Sequence, residues 1–324
     1  MENTKIQVLL IEANPGDASL VSAILKEGSK FPSILTNVDK VEDALKILKA
    51  KKQPFDVILL DLDLPDGKGL EMLEKIVGQE PKLPVVVLIG SDREHTDMNA
   101  MQKQASDYLV KGQINHDILL RSIRYAIERK RSSNLNASLN KINWLMFSTF
   151  DFDKIIDRVL REASTAIGCE SAFISLLVDN RWPGCNTYGY PSKIVSSHLK
   201  DEEELHAMIA IKKKKTVIID DVLNDNRVNR KSIRGWDIRS TMAVPLISEN
   251  KVMGVLLFNH HKEKFNFGEH HKDFAEKLAI SISLAISNAR FFRKVQEEIK
   301  GHNKSDPVQH PKHHRSQTYR KRPA

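Results

Sequence analysis

The segment Asp56-Val57-Ile58-Leu59-Leu60-Asp61-Leu62-Asp63-Leu64-Pro65-Asp66-Gly67 limits the fold more than any other part of this chain. Four apolar residues in a row, β-branched at the start, read as a short strand buried on both faces, the kind found inside a parallel sheet. Asp61 follows directly, at the C-terminal end of that strand and just before a Pro-Asp-Gly turn, where open α/β sheets place their ligands. An Asp here also suits simple turn capping. The segment alone leaves both readings open.

Its surroundings favour a sheet. Val8-Leu9-Leu10-Ile11 is another apolar strand, ending at Glu12. Asn14-Pro15-Gly16-Asp17 is a turn with a helix cap, after which Leu20, Val21, Ile24 and Leu25 recur at helical spacing. Ser33 to Val38 predicts a second strand, Val41 to Ala50 a helix, and Leu70, Leu73, Ile76 and Val77 another helix. Pro84 to Ile89 is a fourth strand and Tyr108-Leu109-Val110 a short fifth. Strands alternating with helices predict an α/β domain, a doubly wound parallel sheet.

At 324 residues the chain exceeds one ordinary domain, so two or three are expected. The N-terminus runs straight into an apolar strand and no apolar run reaches membrane-spanning length, so a soluble, cytoplasmic protein with no membrane partner is expected. Cys169 and Cys185 are too few for a disulfide framework or a zinc site and read as reduced thiols. Of the net charge of +8, the segment from Gly301 to Ala324 carries +5, six basic residues against Asp306 alone. That His-, Pro- and Gln-rich tail has no apolar periodicity and reads as disordered and solubilising. A nucleic-acid role is confined to it.

With these landmarks in place, residues 5 to about 128 resemble the receiver domain of two-component response regulators. The resemblance rests on the strand ending in Asp61, the Leu64-Pro65-Asp66-Gly67 turn, Asp107-Tyr108-Leu109-Val110-Lys111-Gly112, and the opening Leu9-Leu10-Ile11-Glu12-Ala13-Asn14-Pro15-Gly16-Asp17. It implies a flavodoxin-like five-stranded parallel sheet in which an Asp takes a phosphoryl group while a hard divalent cation, Mg²⁺, neutralises the phosphoryl oxygens. Asp61 then matches the phosphoacceptor, Lys111 the lysine that pairs with it, and Tyr108 the aromatic whose burial reports the switched state. Glu12, Asp61 and Asp63 are the implied metal set. Two departures weaken this carry-over. Receivers place two acids after the first strand, and here the pair is Glu12-Ala13; they end the fourth strand in Thr or Ser, and here Ile89 stands at that position. Ser91, two residues on, is the remaining hydroxyl for the switch. Weak Mg²⁺ binding and a weak or unused phosphoacceptor are expected.

The helix after the fifth strand does not stop where a receiver ends. Leu120, Ile123 and Ile127 share a face, residues 128–134 are polar all round, and Leu135, Leu139, Ile142 and Met146 then resume a four-three spacing. The polar interval marks a linker or a change of helix direction over residues 129–146. The second apolar run suits either packing within the chain or a dimer seam.

Phe152 to Ile167 predicts an amphipathic helix closed by Gly168. Strands follow at Ala172 to Val178, Asn186 to Tyr190, Thr216 to Ile219, Ser240 to Leu246 and Val252 to Asn259, the last two joined across Ser248-Glu249-Asn250, and a long helix begins after Gly268. This α+β order with an antiparallel sheet resembles a GAF domain over residues 147–292. Ile238-Arg239-Ser240-Thr241-Met242-Ala243-Val244-Pro245-Leu246, Val252-Met253-Gly254-Val255-Leu256, Phe265-Asn266-Phe267 and Ala285-Ile286-Ser287-Asn288-Ala289-Arg290 carry it. The resemblance implies a small-molecule pocket or a dimerisation module, with the ligand unknown. Ser197-His198 stands without the Cys that attaches a bilin. His260-His261 and His270-His271 read as solvated, and Lys212 to Lys215 as a solvated edge. The terminal helix carries apolar or small residues at Phe274, Leu278, Ser281, Ala285, Asn288, Phe292, Val295 and Ile299, a pattern suited to a dimer.

No kinase, cyclase or phosphodiesterase pattern accompanies these regions, so the expectation is a non-enzymatic signalling protein. It joins residues 1–128 as receiver to a GAF sensor and acts by protein contacts on a sensor histidine kinase or other signalling partner, as a homodimer. Residues 293–324 form a helix extension and tail. A fully phosphorylatable regulator using Asp61, or a small-molecule-binding GAF protein with the receiver as dimer surface, are the alternatives.

Overall fold

The computed structural model describes residues 5–27, 32–50, 55–65, 69–90, 104–148, 152–177, 182, 185–190, 205–229 and 237–305. Ser91, the Asp66-Gly67 turn, Ser197-His198 and the basic tail beyond Ser305 lie outside them. The chain divides into two compact units. One is Met1–Ile142 with Glu162–Glu170 and Phe265–Ala275; the other is Asn143–Arg161 with Ser171–Lys264 and Glu276–Ala324.

In the first unit, β1 (Ile6–Ile11), α1 (Pro15–Glu27), β2 (Ser33–Val38), α2 (Val41–Ala50), β3 (Val57–Asp61), α3 (Gly69–Gln79), β4 (Val85–Ile89) and β5 (Asp107–Val110) alternate as expected. The strands are all parallel and ordered β2-β1-β3-β4-β5. Successive side chains of a strand point to opposite faces, so each apolar run feeds two cores. Leu9, Ile11, Ile58, Leu60, Val87 and Ile89 join one cluster with residues of α2 and α3. Val8, Leu10, Val57, Leu59, Val86 and Leu88 join the other with Val21, Ile24 and Leu25 of α1. Every residue of β3 and β4 is buried, which is why those runs lack polar alternation.

The α4 helix spans His116–Phe147 without interruption. The polar interval at 128–134 is one more stretch of that helix and neither ends nor bends it into two elements. Leu135, Leu139, Ile142 and Met146 are buried within the single chain. That burial accords with the reading in which the run packs within the chain. Lys141 Nζ also pairs with Glu162 Oε2 at 2.8 Å.

The remaining elements are α5 (Phe152–Ile167), β6 (Ser171–Leu176), β7 (Cys185–Tyr188), α6 (Leu205–Lys213), β8 (Val217–Ile219), β9 (Ser240–Ser248), β10 (Lys251–His260) and α7 (Glu269–Ser305). Gly168 ends α5 at φ +85°, the left-handed cap that glycine adopts without penalty. The second sheet is antiparallel throughout, ordered β7-β6-β10-β9-β8. Glu249 and Asn250 join β9 to β10 with φ of 48° and 61°, the two left-handed residues of a tight hairpin turn. On one face Ala243, Val255 and Leu257 cluster with Ala207 and Ala210 of α6.

Of the two histidine pairs, His260 is buried and not solvated, while His261, His270 and His271 are half-buried. The β10 strand runs one residue further than expected and buries His260, while His261 Nε2 lies 2.7 Å from Ser171 Oγ. His271 Nδ1 accepts the Gly268 N–H at 3.1 Å, closing the start of α7. Lys212 to Lys215 are exposed, in keeping with a solvated edge.

Candidate functional site

In a sheet ordered 2-1-3-4-5 the chain turns to opposite sides after β1 and β3, and the crevice at their C-terminal ends is where such folds bind ligands. Glu12 follows β1 directly, Asp61 ends β3, and Lys111 follows β5 directly. The topology therefore gathers three residues that lie up to 99 positions apart in the chain.

Lys111 Nζ lies 2.7 Å from Glu12 Oε2, 2.8 Å from Asp17 Oδ2 and 3.0 Å from Asp61 Oδ2. The second carboxylate oxygens are held from below by backbone. Asn14 N donates to Glu12 Oε1 at 2.8 Å, and Asp63 N donates to Asp61 Oδ1 at 3.1 Å. Glu12 and Asp61 are buried. Burial raises the Glu12 carboxyl above the ordinary range, against the pull of the Lys111 and Asn14 hydrogen bonds. For Lys111 burial opposes the charge, yet the hydrogen bonds to Asp17, Glu12 and Asp61 outweigh it and hold the ammonium well above its usual range.

Asp17 is the member that reading the sequence missed. Asn14 Oδ1 accepts the Gly16 N–H at 2.8 Å and the Asp17 N–H at 3.4 Å, capping α1 with Pro15 in its first turn. The cap sets Asp17 on the first turn, facing Lys111. Its acidic place in a capped first turn was visible in the sequence, but that position ordinarily serves the helix dipole, and only the fold reveals its second partner.

Asp63 offers its backbone to Asp61, and its carboxylate lies against Gly90, where a Cβ would come within 3.3 Å of Oδ2. Ala13 is partly buried and packs on the α2/α3 core, bringing no oxygen to the cluster. Ile89 is buried in that same core at the end of β4. Tyr108 is half-buried and borders a cavity of about 450 Å³ with Val110, Ile118, Arg121 and Tyr125. Ser91 lies outside the described residues.

Mg²⁺ requires a near-octahedral set of oxygen ligands. Here the Glu12, Asp17 and Asp61 carboxylates surround an ammonium, and among the described residues no three His, Cys, Asp or Glu side chains are arranged to hold a metal ion. What the cluster does chemically is hold one lysine between three acids.

Comparison with known proteins agrees with this architecture. The response regulator receiver domain family matches residues 8–124, and the GAF domain family matches residues 150–287. Two-component response regulator-like APRR5 of Arabidopsis thaliana is 33% identical over 111 residues, 33% of this chain and 19% of that protein. A putative response regulator NtrX-like protein of Rickettsia bellii is 31% identical over 136 residues, 41% of this chain and 27% of its own length. The chain spans between 12 and 27% of the length of such curated relatives. Among solved structures, the GAF domain of a phosphoenolpyruvate-protein phosphotransferase from Coxiella burnetii is 19% identical, covers 50% of this chain and 98% of that chain, and has a TM-score of 0.46. The receiver domain of sensor histidine kinase PA1611 from Pseudomonas aeruginosa, with a magnesium ion coordinated in its active-site cleft, is 25% identical, covers 39% of this chain and 99% of its own, with a TM-score of 0.34. Among the described residues no helix is long and apolar enough to cross a membrane. Residues 8–124 of this chain are a response regulator receiver domain and residues 150–287 a GAF domain, a pairing that fits a two-component signalling protein.

Proposed function

We propose that this chain is a cytoplasmic signal-transduction protein in which a receiver with a degenerate phosphoacceptor site works as a docking module coupled to a GAF sensor. The receiver occupies residues 1–128, a helical linker 129–146, the GAF domain 147–292, and a helix extension with a basic tail 293–324. Its output is contact with a separate signalling protein, a sensor histidine kinase or another relay component. The chain itself is not an enzyme.

The observation that carries this reading is the clamp on Lys111. An incoming phosphoryl group brings negative charge to a cluster that already holds three carboxylates and a single described cation, and acceptance needs a divalent ion to offset it. Glu12 and Asp17 face the lysine, Ala13 supplies no ligand, and Ile89 cannot donate the hydrogen bond that a Thr or Ser gives the phosphoryl oxygens. Asp61, the matching phosphoacceptor, is thereby held in an ion pair. A homodimer is supported by Ile280, Leu284, Phe291 and Ile299, large apolar residues left exposed on α7.

A second reading has its own support. Asp61 stands at the end of β3 with Lys111 3.0 Å away, the placement that a working phosphoacceptor needs. Incubating the full chain with acetyl phosphate and Mg²⁺, read by intact mass beside an Asp61→Ala control, decides between the two. No adduct on the wild type supports the docking reading. A stoichiometric adduct absent from the control overturns it and makes the chain a phosphorylatable regulator.

A further inference from the structure

One end of the GAF sheet is set by the β9–β10 turn at Glu249 and Asn250. The strands beside this hairpin are antiparallel to it, so the last residues of β6 and the first residue of β8, Val217, are the ones nearest that end. Lys214 Nζ donates to the Asn250 carbonyl at 2.6 Å and to its side-chain oxygen at 2.8 Å, which fixes the end of α6 beside the hairpin tip. From α7, Ser287 Oγ donates to Ser248 Oγ at 3.0 Å, and Arg290 donates to the Leu177 carbonyl at 3.1 Å. Residues 212–216, 248–251 and 287–294, far apart in the chain, therefore meet at one end of the domain.

That end is strongly basic. Lys212, Lys213, Lys214, Lys215, Lys251, Arg290, Arg293 and Lys294 are all exposed there. Against them stand Glu249 and Glu276, the latter bonded to the Thr216 hydroxyl, for a net of +6. Glu297 and Glu298, one turn further along α7, still leave +4. Residues 1–300 together carry only +3, so the rest of them is net −3 and the asymmetry is a property of this end. Charge beside an edge strand discourages unwanted strand pairing, which accounts for the lysines that precede β8. It does not account for Lys251 on the inner strand β10, or for Arg290 and Lys294 on a helix.

We propose that this end of the GAF domain docks on an anionic lipid bilayer, holding the chain at a membrane surface without spanning it. Like charges gathered on one end repel each other, and the repulsion is relieved when a dense negative surface faces them. Lipid headgroups present such charge as a plane, and each Lys or Arg brought near it adds a similar favourable increment without demanding one geometry. The arrangement suits a plane. The charges occupy a hairpin tip, a helix end and the flank of a second helix, and five of the eight are lysine, a point charge without the fork that reads a single phosphate. Nucleic acid is held by an element placed in a groove or by a basic channel that tracks its backbone, whereas these side chains stand on a projecting end. The proposal revises the expectation of no membrane partner, which rested on the lack of a spanning run; an interfacial contact needs none.

The test is co-sedimentation of the full chain with vesicles of phosphatidylcholine containing about one third phosphatidylserine, at about 0.1 M salt, beside vesicles of phosphatidylcholine alone. Binding at least about tenfold tighter to the acidic vesicles, and falling steeply as salt is raised to about 0.5 M, is the expected result. Combining Lys213→Gln, Lys215→Gln, Lys251→Gln and Lys294→Gln removes four of these charges and leaves residues 301–324 intact. This variant should bind the acidic vesicles at least about fiftyfold more weakly. Near-UV circular dichroism checks its fold, and Lys213→Gln with Lys251→Gln, expected to lose about tenfold or more, keeps the test open if the fourfold variant is unfolded. No preference for acidic vesicles overturns the proposal. Undiminished binding by a folded variant assigns recruitment to the basic segment 301–324 and overturns it as well. Tighter binding to a short DNA duplex than to acidic vesicles at the same salt, lost in the variant, overturns it by giving this end to nucleic acid.

Discussion

Lys111 Nζ and Asp61 Oδ2 lie 3.0 Å apart, and the same ammonium reaches Glu12 and Asp17 at shorter distances. The residue that matches the phosphoacceptor is thus one of three acids sharing one cation. Removing that cation and removing one of the acids have unequal consequences.

Lys111→Met leaves buried Glu12 and Asp61 facing each other with no described positive charge between them, and should cost the receiver about 3 kcal/mol. Glu12→Gln should change stability by less than about 1 kcal/mol, because burial, the largest influence on Glu12, already disfavours its charged form. The sign follows from linkage. A carboxyl raised above 4.5 in the fold stabilises most below that value and loses the contribution as pH rises through its folded pKa, so charged Glu12 is no asset at neutral pH. Hydrogen exchange of β1 and β3 peptides measures both variants.

Restoring the two missing groups should restore the chemistry. Ala13→Asp supplies a carboxylate beside Glu12, and Ile89→Thr supplies a hydroxyl at the end of β4. The double variant should gain Mg²⁺-dependent labelling of Asp61 by acetyl phosphate at least about tenfold over wild type, the scale of one restored electrostatic contact in a phosphoryl-transfer site. Ile89 is buried, so the same change should lower stability by about 1 to 3 kcal/mol. Intact mass and thermal melts read the two effects separately.

His206 predicts an acid sensitivity of the GAF domain. Its imidazole falls from 6.5 to about 4 on folding, chiefly through burial, with Asp225 opposing. The unfolded chain therefore binds the extra proton between those values. Stability from this group is complete above pH 6.5 and is lost as pH falls toward 4, by up to ~3 kcal/mol. His206→Met should flatten this part of the pH profile, followed by hydrogen exchange of β9 and β10 from pH 7 to 5.

Gly254 sits where β10 crosses β6, and a Cβ there would meet the carbonyl oxygen of Ser175 and lie 3.2 Å from Leu176 Cα. Both obstacles are backbone, so neither swings away. Gly254→Ala should destabilise the GAF domain by about 2 kcal/mol or more, seen as an earlier melting transition.

The buried and exposed faces of α7 should respond differently to charge. Phe274, Leu278, Ile282 and Ile286 are buried in the single chain, whereas Leu284 and Phe291 are exposed. Leu284→Glu with Phe291→Glu should leave folding intact and convert a dimer to a monomer in light scattering; a mass unchanged from the wild type would remove the dimer from the proposed function.

The α7 helix also illustrates where reading the chain alone falls short. The repeat of Phe274, Leu278, Ser281, Ala285, Asn288, Phe292, Val295 and Ile299 suggests one continuous stripe. In the structure Phe274 and Leu278 are buried while Asn288, Phe292 and Ile299 are exposed. Periods of 3.5 and 3.6 residues drift apart along a helix of 37 residues, so one sequence stripe samples two faces. The run at Leu135 to Met146 was ambiguous for a related reason. Periodicity reveals that a face is apolar, but not what covers it.

By itself the sequence determined the two domains, the order of their strands and helices, and the placement of Glu12, Asp61 and Lys111 at the ends of β1, β3 and β5. Those features follow from local alternation, capping and turn residues, which act over a few positions. Only the tertiary structure decided that Asp17 closes the ring around Lys111, that His260 is buried, and that Thr241 and Asn259 face each other in the interior. Each depends on which strands become neighbours and in what register, and pairing between residues 18 or 94 positions apart leaves no periodic trace in the chain.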